Sequence, residues 1–219
     1  MERKGIKIAT HIKKLGGVYD REFGNLGEDF EKLKESSFPV LDEVAANEML
    51  AAAESAAKLG DSVGGVLESA VIGIPAGVGE PWFDSVESML SHILFSVPAV
   101  KGVEFGAGFA TADMRGSEAN DAFAFDGDKV ITKTNNNGGI NGGITNGMPI
   151  IFRTAIKPTP SIYQSQESVN LKTNSSAELQ ISGRHDPCIV HRAAAVVDAV
   201  CAIALADLLT ARYGTDFLA

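Results

Sequence analysis

The sequence is short of cysteine, of basic clusters and of any uninterrupted apolar run long enough to cross a membrane. Its two cysteines, Cys188 and Cys201, fall on one predicted helix. A thirteen-residue separation along a helix is about 20 Å, which excludes a disulfide between them. They read as buried thiols in a reducing compartment. The net charge is −9 and the pI about 4.9. No basic cluster tracks a phosphodiester backbone, so nucleic acid is not an expected partner, and the excess acid reads as solubility. Met1-Glu2-Arg3-Lys4 is followed by too short an apolar run for a secretory signal. The last apolar stretch is interrupted by Arg192, Asp198 and Asp207, the mark of a core helix rather than a membrane span. A cytoplasmic protein is the expectation, with neither membrane nor nucleic acid as partner. Metal is not expected either. No Cys/His ligand spacing occurs, and His185 and His191 would diverge on a helix. His92 reads as an ordinary helical residue. A Gly-x-Ser-x-Gly nucleophile elbow is also missing.

What is present suits one large or two small domains: 219 residues, 45% hydrophobic and 21% charged. Ile6 to Ile12 alternates as a strand does and ends before Gly16-Gly17. It starts abruptly, with nothing ahead of it to cover its edge. Tyr19 to Ser37 is a solvated helix or loop. Leu41 to Leu59 predicts a helix with Val44, Met49, Leu50 and Ala53 at helical spacing and Gly60 as its stop. Asp61 to Gly79 is β-rich, and Gly64-Gly65 signals a bulge or a close backbone approach. A helix over 85–95 and a strand within 97–111 follow, then a polar loop over 114–128 and a short strand over 129–134. Pro149 to Ile156 is a strong strand. Ser165 to Ser176 reads as a hairpin or mobile loop, with a brief strand over 179–181.

Three segments carry the chemistry. Asn135 to Gly147 is rich in glycine and asparagine but matches neither a P-loop nor a dinucleotide fingerprint. Its paired glycines would let a flat ligand lie against the backbone, with Ile140 and Ile144 as buried anchors. Lys157-Pro158-Thr159-Pro160-Ser161 brings a cation and two hydroxyls to a proline-stiffened strand end, a setting suited to phosphate. Gly183-Arg184-His185-Asp186-Pro187-Cys188 opens the closing helix, with Asp186 as the expected N-cap and Pro187 as the first helical residue. Arg184 beside that helix end would make an anion site. Val190, Ala194, Val197, Cys201, Leu205 and Leu208 form its apolar stripe. Its many alanines predict burial on more than one side. The three segments together predict a single pocket for a phosphorylated, planar ligand.

Five blocks, in order, resemble the chorismate synthase family: Ala99 to Glu104, Gly116 to Asp121, Asn136 to Gly147, Lys157 to Ile162 and Gly183 to Cys188. Asp61 to Gly65 and Gly5 to Gly17 do so as well. The resemblance covers nearly the whole chain but only the family's C-terminal part. It implies an α+β fold, the family's β-α-β sandwich, in a homotetramer. The implied reaction is the anti-1,4-elimination of phosphate from 5-enolpyruvylshikimate 3-phosphate to give chorismate, in the shikimate pathway. That reaction needs reduced FMN although it is redox-neutral, and some members reduce the flavin with NADPH. By resemblance, Pro98, Ala99, Gly142, Lys157, Pro158, Thr159, Pro160, Ser161 and Arg184 lie on the flavin, and Asp186 assists proton removal. The family's upstream Gly-x-Ser-His-Gly segment, its second acid–base histidine and its Ser-Ala-Arg segment have no match here, and His11, His92 and His191 do not replace them. Pro98 stands where the family commonly has Asn, His191 and Ala195 where it has Pro, and Asp198 where it has Glu. The expectation is one domain, 1–219, lacking the family's N-terminal share and inactive alone. The alternative is a non-catalytic flavin-binding or interaction module.

Overall fold

The computed structural model describes residues 1–34, 36–183 and 186–219. Strand β1 (Lys7–Leu15) turns through Gly16-Gly17 into β2 (Val18–Tyr19). Both glycines have positive φ, 57° and 92°, as a two-residue hairpin turn requires. Helices α1 (Leu26–Lys34) and α2 (Glu43–Lys58) follow, and the Asp42 carboxylate accepts the N–H groups of Val44 and Ala45 at the start of α2. Then come β3 (Gly65–Ile72), α3 (Val86–Ser96), β4 (Val100–Phe105) and the single turn α4 (Gly116–Ala119). Two small hairpins, β5 (Phe123–Asp126) with β6 (Lys129–Thr132) and β7 (Ile140–Asn141) with β8 (Ile144–Thr145), lead to β9 (Ile150–Ile156). A third hairpin, β10 (Gln166–Asn170) with β11 (Ser175–Leu179), precedes the long helix α5 (Val190–Tyr213).

Five strands form one antiparallel sheet in the order β2-β1-β3-β9-β4. Period-two alternation divides its faces. Ile12, Leu67, Ile150, Phe152 and Ile156 point to the face that carries α5 and α3, where the main core lies. Ala9 and Ala70 point to the other face, where Phe30 and Leu33 of α1 cover them. The expected stripe on α5 is buried at every position from Val190 through Ala194, Val197, Cys201 and Leu205 to Leu208. By length and apolar content α5 could cross a membrane, but this stripe packs on the sheet and on α3, as in a core helix.

Four expectations change. Helix α2 buries Ala45, Met49 and Ala56, while Val44 and Leu50 face solvent; its inward face is set by alanines, which carry little apolar signal. The segment 114–128 holds α4 and β5; Phe123 and Phe125 are exposed on that hairpin, so no burial pattern announces it. The third hairpin begins at Gln166 and ends at Leu179, and no strand covers 180–181. Helix α5 is buried on one side only, because Ala195, Val196, Ala199 and Ile203 have no layer over them within this chain.

Candidate functional site

At one end of the sheet four segments meet. Gly64 and Gly65 lead into β3, Lys157 leaves β9, Ala99 enters β4, and the start of α5 lies over them. The Lys157 amide donates to the Ala99 carbonyl at 2.9 Å. Ser62 Oγ donates to the Thr159 carbonyl at 2.6 Å. The Val63 amide donates to the Pro187 carbonyl at 2.9 Å. The paired glycines mark a close approach, as expected: a Cβ on Gly64 would lie 2.5 Å from the Ile156 carbonyl oxygen, and one on Gly65 would collide with the Lys14 carbonyl and crowd Val190. The cleft here holds about 460 Å³, lined by Lys14, Gly17, Ser62, Gly64 and Pro158 among others.

This end holds most of the expected site residues. Pro98 and Ala99 stand beside Lys157. Ala99 has φ +73°, a left-handed conformation uncommon for a residue with a Cβ. Lys157 is exposed and makes no ion pair among the described residues. Thr159 Oγ1 is buried and has no hydrogen-bond partner among the described residues, a costly state that a bound ligand would relieve. Pro158 and Pro160 stiffen the turn, and Ser161 is half-buried. Arg184 lies outside the described residues. Asp186 does not cap α5. The helix begins at Val190 after Ile189, and the Pro187 carbonyl is taken by the Val63 amide rather than by the first turn of a helix. The Asp186 carboxylate instead pairs with the Arg192 guanidinium and remains about a quarter exposed. Within this chain the carboxylate is therefore partly open to solvent.

Gly142 is elsewhere. The glycine-asparagine loop packs on the opposite end of β9. Gly139 lies on the Pro149 carbonyl and Gly138 on that of Ile151. The Gly143 carbonyl accepts the Val86 amide at 3.0 Å. A seven-residue strand separates the two ends by about 20 Å, so the expected single pocket is not formed within one chain. The loop is ordered, as expected, with Ile140 buried and Ile144 half-buried. Asp121 holds it: its carboxylate accepts from Thr134 Oγ1, the amides of Asn136 and Asn137, and the Asn137 side chain at 2.7 to 2.9 Å. Burial raises the Asp121 pKa, but these donors outweigh burial and leave it below the usual carboxylate range.

Sequence reasoning missed one constellation. On the α1 face, His11, Glu68, Arg153 and Glu104 are register partners across β1, β3, β9 and β4. His11 Nδ1 lies 2.8 Å from Asp20 Oδ2, and its Nε2 lies 3.0 Å from Glu68 Oε2. Arg153 Nε is 3.5 Å from Glu68, and Arg153 Nη1 is 3.0 Å from Glu104. Burial lowers the His11 pKa, yet the two carboxylates outweigh it and hold the imidazole above its ordinary value. Charged residues at every strand's facing position were the available signal; strand register was needed to join them.

The family model described as chorismate synthase matches residues 1–210. The chain belongs to the chorismate synthase family. It is 48% identical over 213 residues to the chorismate synthase of Thermococcus gammatolerans, covering 97% of this chain and 58% of that protein. It is 46% identical over 204 residues to that of Dehalococcoides mccartyi, covering 93% and 56%. A solved crystal structure of chorismate synthase superposes with a TM-score of 0.80 at 29% identity, covering 99% of this chain and 60% of the other. The chain thus spans under three-fifths of these curated relatives' length, matching their C-terminal part. The α+β architecture is the one the resemblance implies.

Proposed function

We propose that this chain carries the phosphate- and flavin-facing end of a chorismate synthase, which eliminates phosphate from 5-enolpyruvylshikimate 3-phosphate to give chorismate. The observation that carries this is the convergence of Ala99, the Lys157–Ser161 turn and Pro187 around Gly64, with one cation and one buried hydroxyl that have no partner among the described residues. The leaving group is a phosphate, and a fixed cation beside it stabilises charge as it develops. Lys157 is the group positioned for that role.

The residues present fit a flavin. Thr159 Oγ1 needs a partner, glycine backbone leaves a flat ligand room, and the stiffened turn presents Lys157 and Ser161 together. Pro98, Ala99, Lys157, Pro158, Thr159, Pro160 and Ser161 would hold FMN. Reduced FMN, when bound, would supply electron density to the reaction without net oxidation, and it would come either from outside or from reduction with NADPH. Asp186 takes the departing proton. The ion pair with Arg192 fixes the position of its carboxylate at the start of α5. Gly142 contributes from a neighbouring copy, in keeping with a homo-oligomer.

Flavin binding by this chain tests the reading. FMN fluorescence should be quenched on titration, and Lys157→Ala should weaken binding at least tenfold. Unchanged affinity in Lys157→Ala would overturn the assignment of this turn.

A further inference from the structure

A cavity of about 570 Å³ lies on the α1 face of the sheet, towards the start of β9, whereas Lys157 leaves that strand's other end. Its floor is Glu68 of β3 with Ile151 and Arg153 of β9, and Glu68 and Arg153 are register partners. One wall is Phe23 and Leu26, where the chain enters α1. The other includes Met148, where the glycine-asparagine loop enters β9. An edge contact with the buried His11 ring, at 4.6 Å between centroids, holds Phe23 in place. Four apolar side chains around two charged ones, in a space of this size, is the make-up of a small-molecule site. None of the residues assigned to the flavin lines it.

The two charged groups on the floor have hydrogen-bonding capacity to spare. A guanidinium only donates, through five N–H groups, and a carboxylate only accepts, through two oxygens. Among the described residues Arg153 donates one hydrogen bond, to the Gly106 carbonyl, and its buried Nε has no hydrogen-bond partner. It pairs by charge with Glu104 at 3.0 Å and with Glu68 Oε1 at 3.5 Å. The one hydrogen-bond partner of Glu68 is His11 Nε2, at 3.0 Å from Oε2. Burial favours the neutral form of Glu68, but the His11 contacts outweigh it and keep the carboxyl ionised. The Arg153 side chain stays 25% exposed and that of Glu68 7%, so both reach the cavity. A spare donor beside a spare acceptor selects the group that meets them. A carboxylate would face Glu68 as a like charge, and an ammonium would face Arg153 in the same way. A hydroxyl or a carboxamide both donates and accepts, and it brings no charge to be desolvated. We propose that this cavity binds a small aromatic molecule through one such neutral group, held between Glu68 and Arg153, with its ring among Phe23, Leu26, Met148 and Ile151.

The test titrates this chain with 2-naphthol and follows the methionine methyl signals by NMR, that of Met148 being assigned with Met148→Leu. The Met148 signal should shift and saturate, with a dissociation constant on the order of 0.1 mM for a ligand of this size. The same rings bearing a carboxylate (2-naphthoate) or an ammonium (2-naphthylmethylammonium) should bind about tenfold more weakly or worse. Ala107 lines the cavity with an ordinary backbone, φ −70°, so Ala107→Phe should fill the space and abolish the shift. Should that variant fail to fold, Leu26→Trp fills the space from the α1 wall and should do the same. No shift of Met148 at millimolar 2-naphthol would overturn the proposal. So would equal affinity for either charged compound, or a shift that survives the filling variant. The readout is independent of catalysis and of flavin, so it stands or falls apart from the proposed function.

Discussion

Lys157 donates its amide to the carbonyl of Ala99 at 2.9 Å, and that bond holds Ala99 in a left-handed turn with φ +73°. A residue with a Cβ there is strained by about 1 kcal/mol or more. Ala99→Gly should therefore raise stability by about 0.5–1 kcal/mol, and Ala99→Val should lower it by about 1–3 kcal/mol. Urea denaturation of the three chains measures both.

Thr159 offers a sharper contrast. Its hydroxyl is buried and has no hydrogen-bond partner among the described residues. Thr159→Val removes that polar group, so stability should hold or rise by about 1 kcal/mol. Flavin affinity should fall about fivefold, since the ligand loses a hydrogen bond of about 1 kcal/mol. Thermal melts and flavin titration together separate the two effects. A parallel loss of both would mean the hydroxyl serves the fold.

Arg192 and Asp186 form a pair in which the arginine side chain is well exposed. Such pairs contribute about 0–1 kcal/mol, so Arg192→Ala should leave the melting temperature nearly unchanged. In the complete enzyme the same substitution should lower kcat with little change in KM, because Asp186 loses the partner that positions its carboxylate. Arg192→Lys should restore part of kcat.

The buried His11 gives the pH dependence of stability. Its pKa is raised in the folded chain above the ordinary 6.5, so its contribution is complete below that value and is lost as pH climbs through the folded pKa. Asp20 and Glu68 are lowered, burial opposing and the His11 contacts prevailing, so theirs is present above the ordinary 3.8 and 4.5 and lost as pH falls through the folded values. Stability should peak between about pH 5 and 6.5 and fall on the alkaline side. His11→Asn should flatten the alkaline limb and cost about 3–5 kcal/mol, since two buried carboxylates lose their partner. Melting temperature against pH for both chains checks the sign.

Much of this was legible in the sequence. The α5 stripe, the β9 strand, the close approach at Gly64-Gly65 and the order of the glycine loop all follow from local patterns. The separation of Gly142 from Lys157 was also implicit: the loop enters β9 and the lysine turn leaves it, so one strand's length must lie between them. The error was to group segments by chemistry and ignore strand direction. The start of α5 was hidden for a different reason. Asp186-Pro187 is a strong local start signal, and it yields to one tertiary hydrogen bond from Val63. The charged row from Asp20 to Glu104 draws on four strands whose register no local pattern encodes.

The central claim is that the Lys157 end of the sheet meets phosphate and reduced flavin in a chorismate synthase that needs more than this chain. Anaerobic phosphate release from 5-enolpyruvylshikimate 3-phosphate, with reduced FMN, measures it directly. The account predicts no release by this chain alone, release when the relatives' N-terminal share is supplied, and a drop of at least a hundredfold in Lys157→Ala. Equal turnover by the lone chain, or none from the combined preparation, would contradict it.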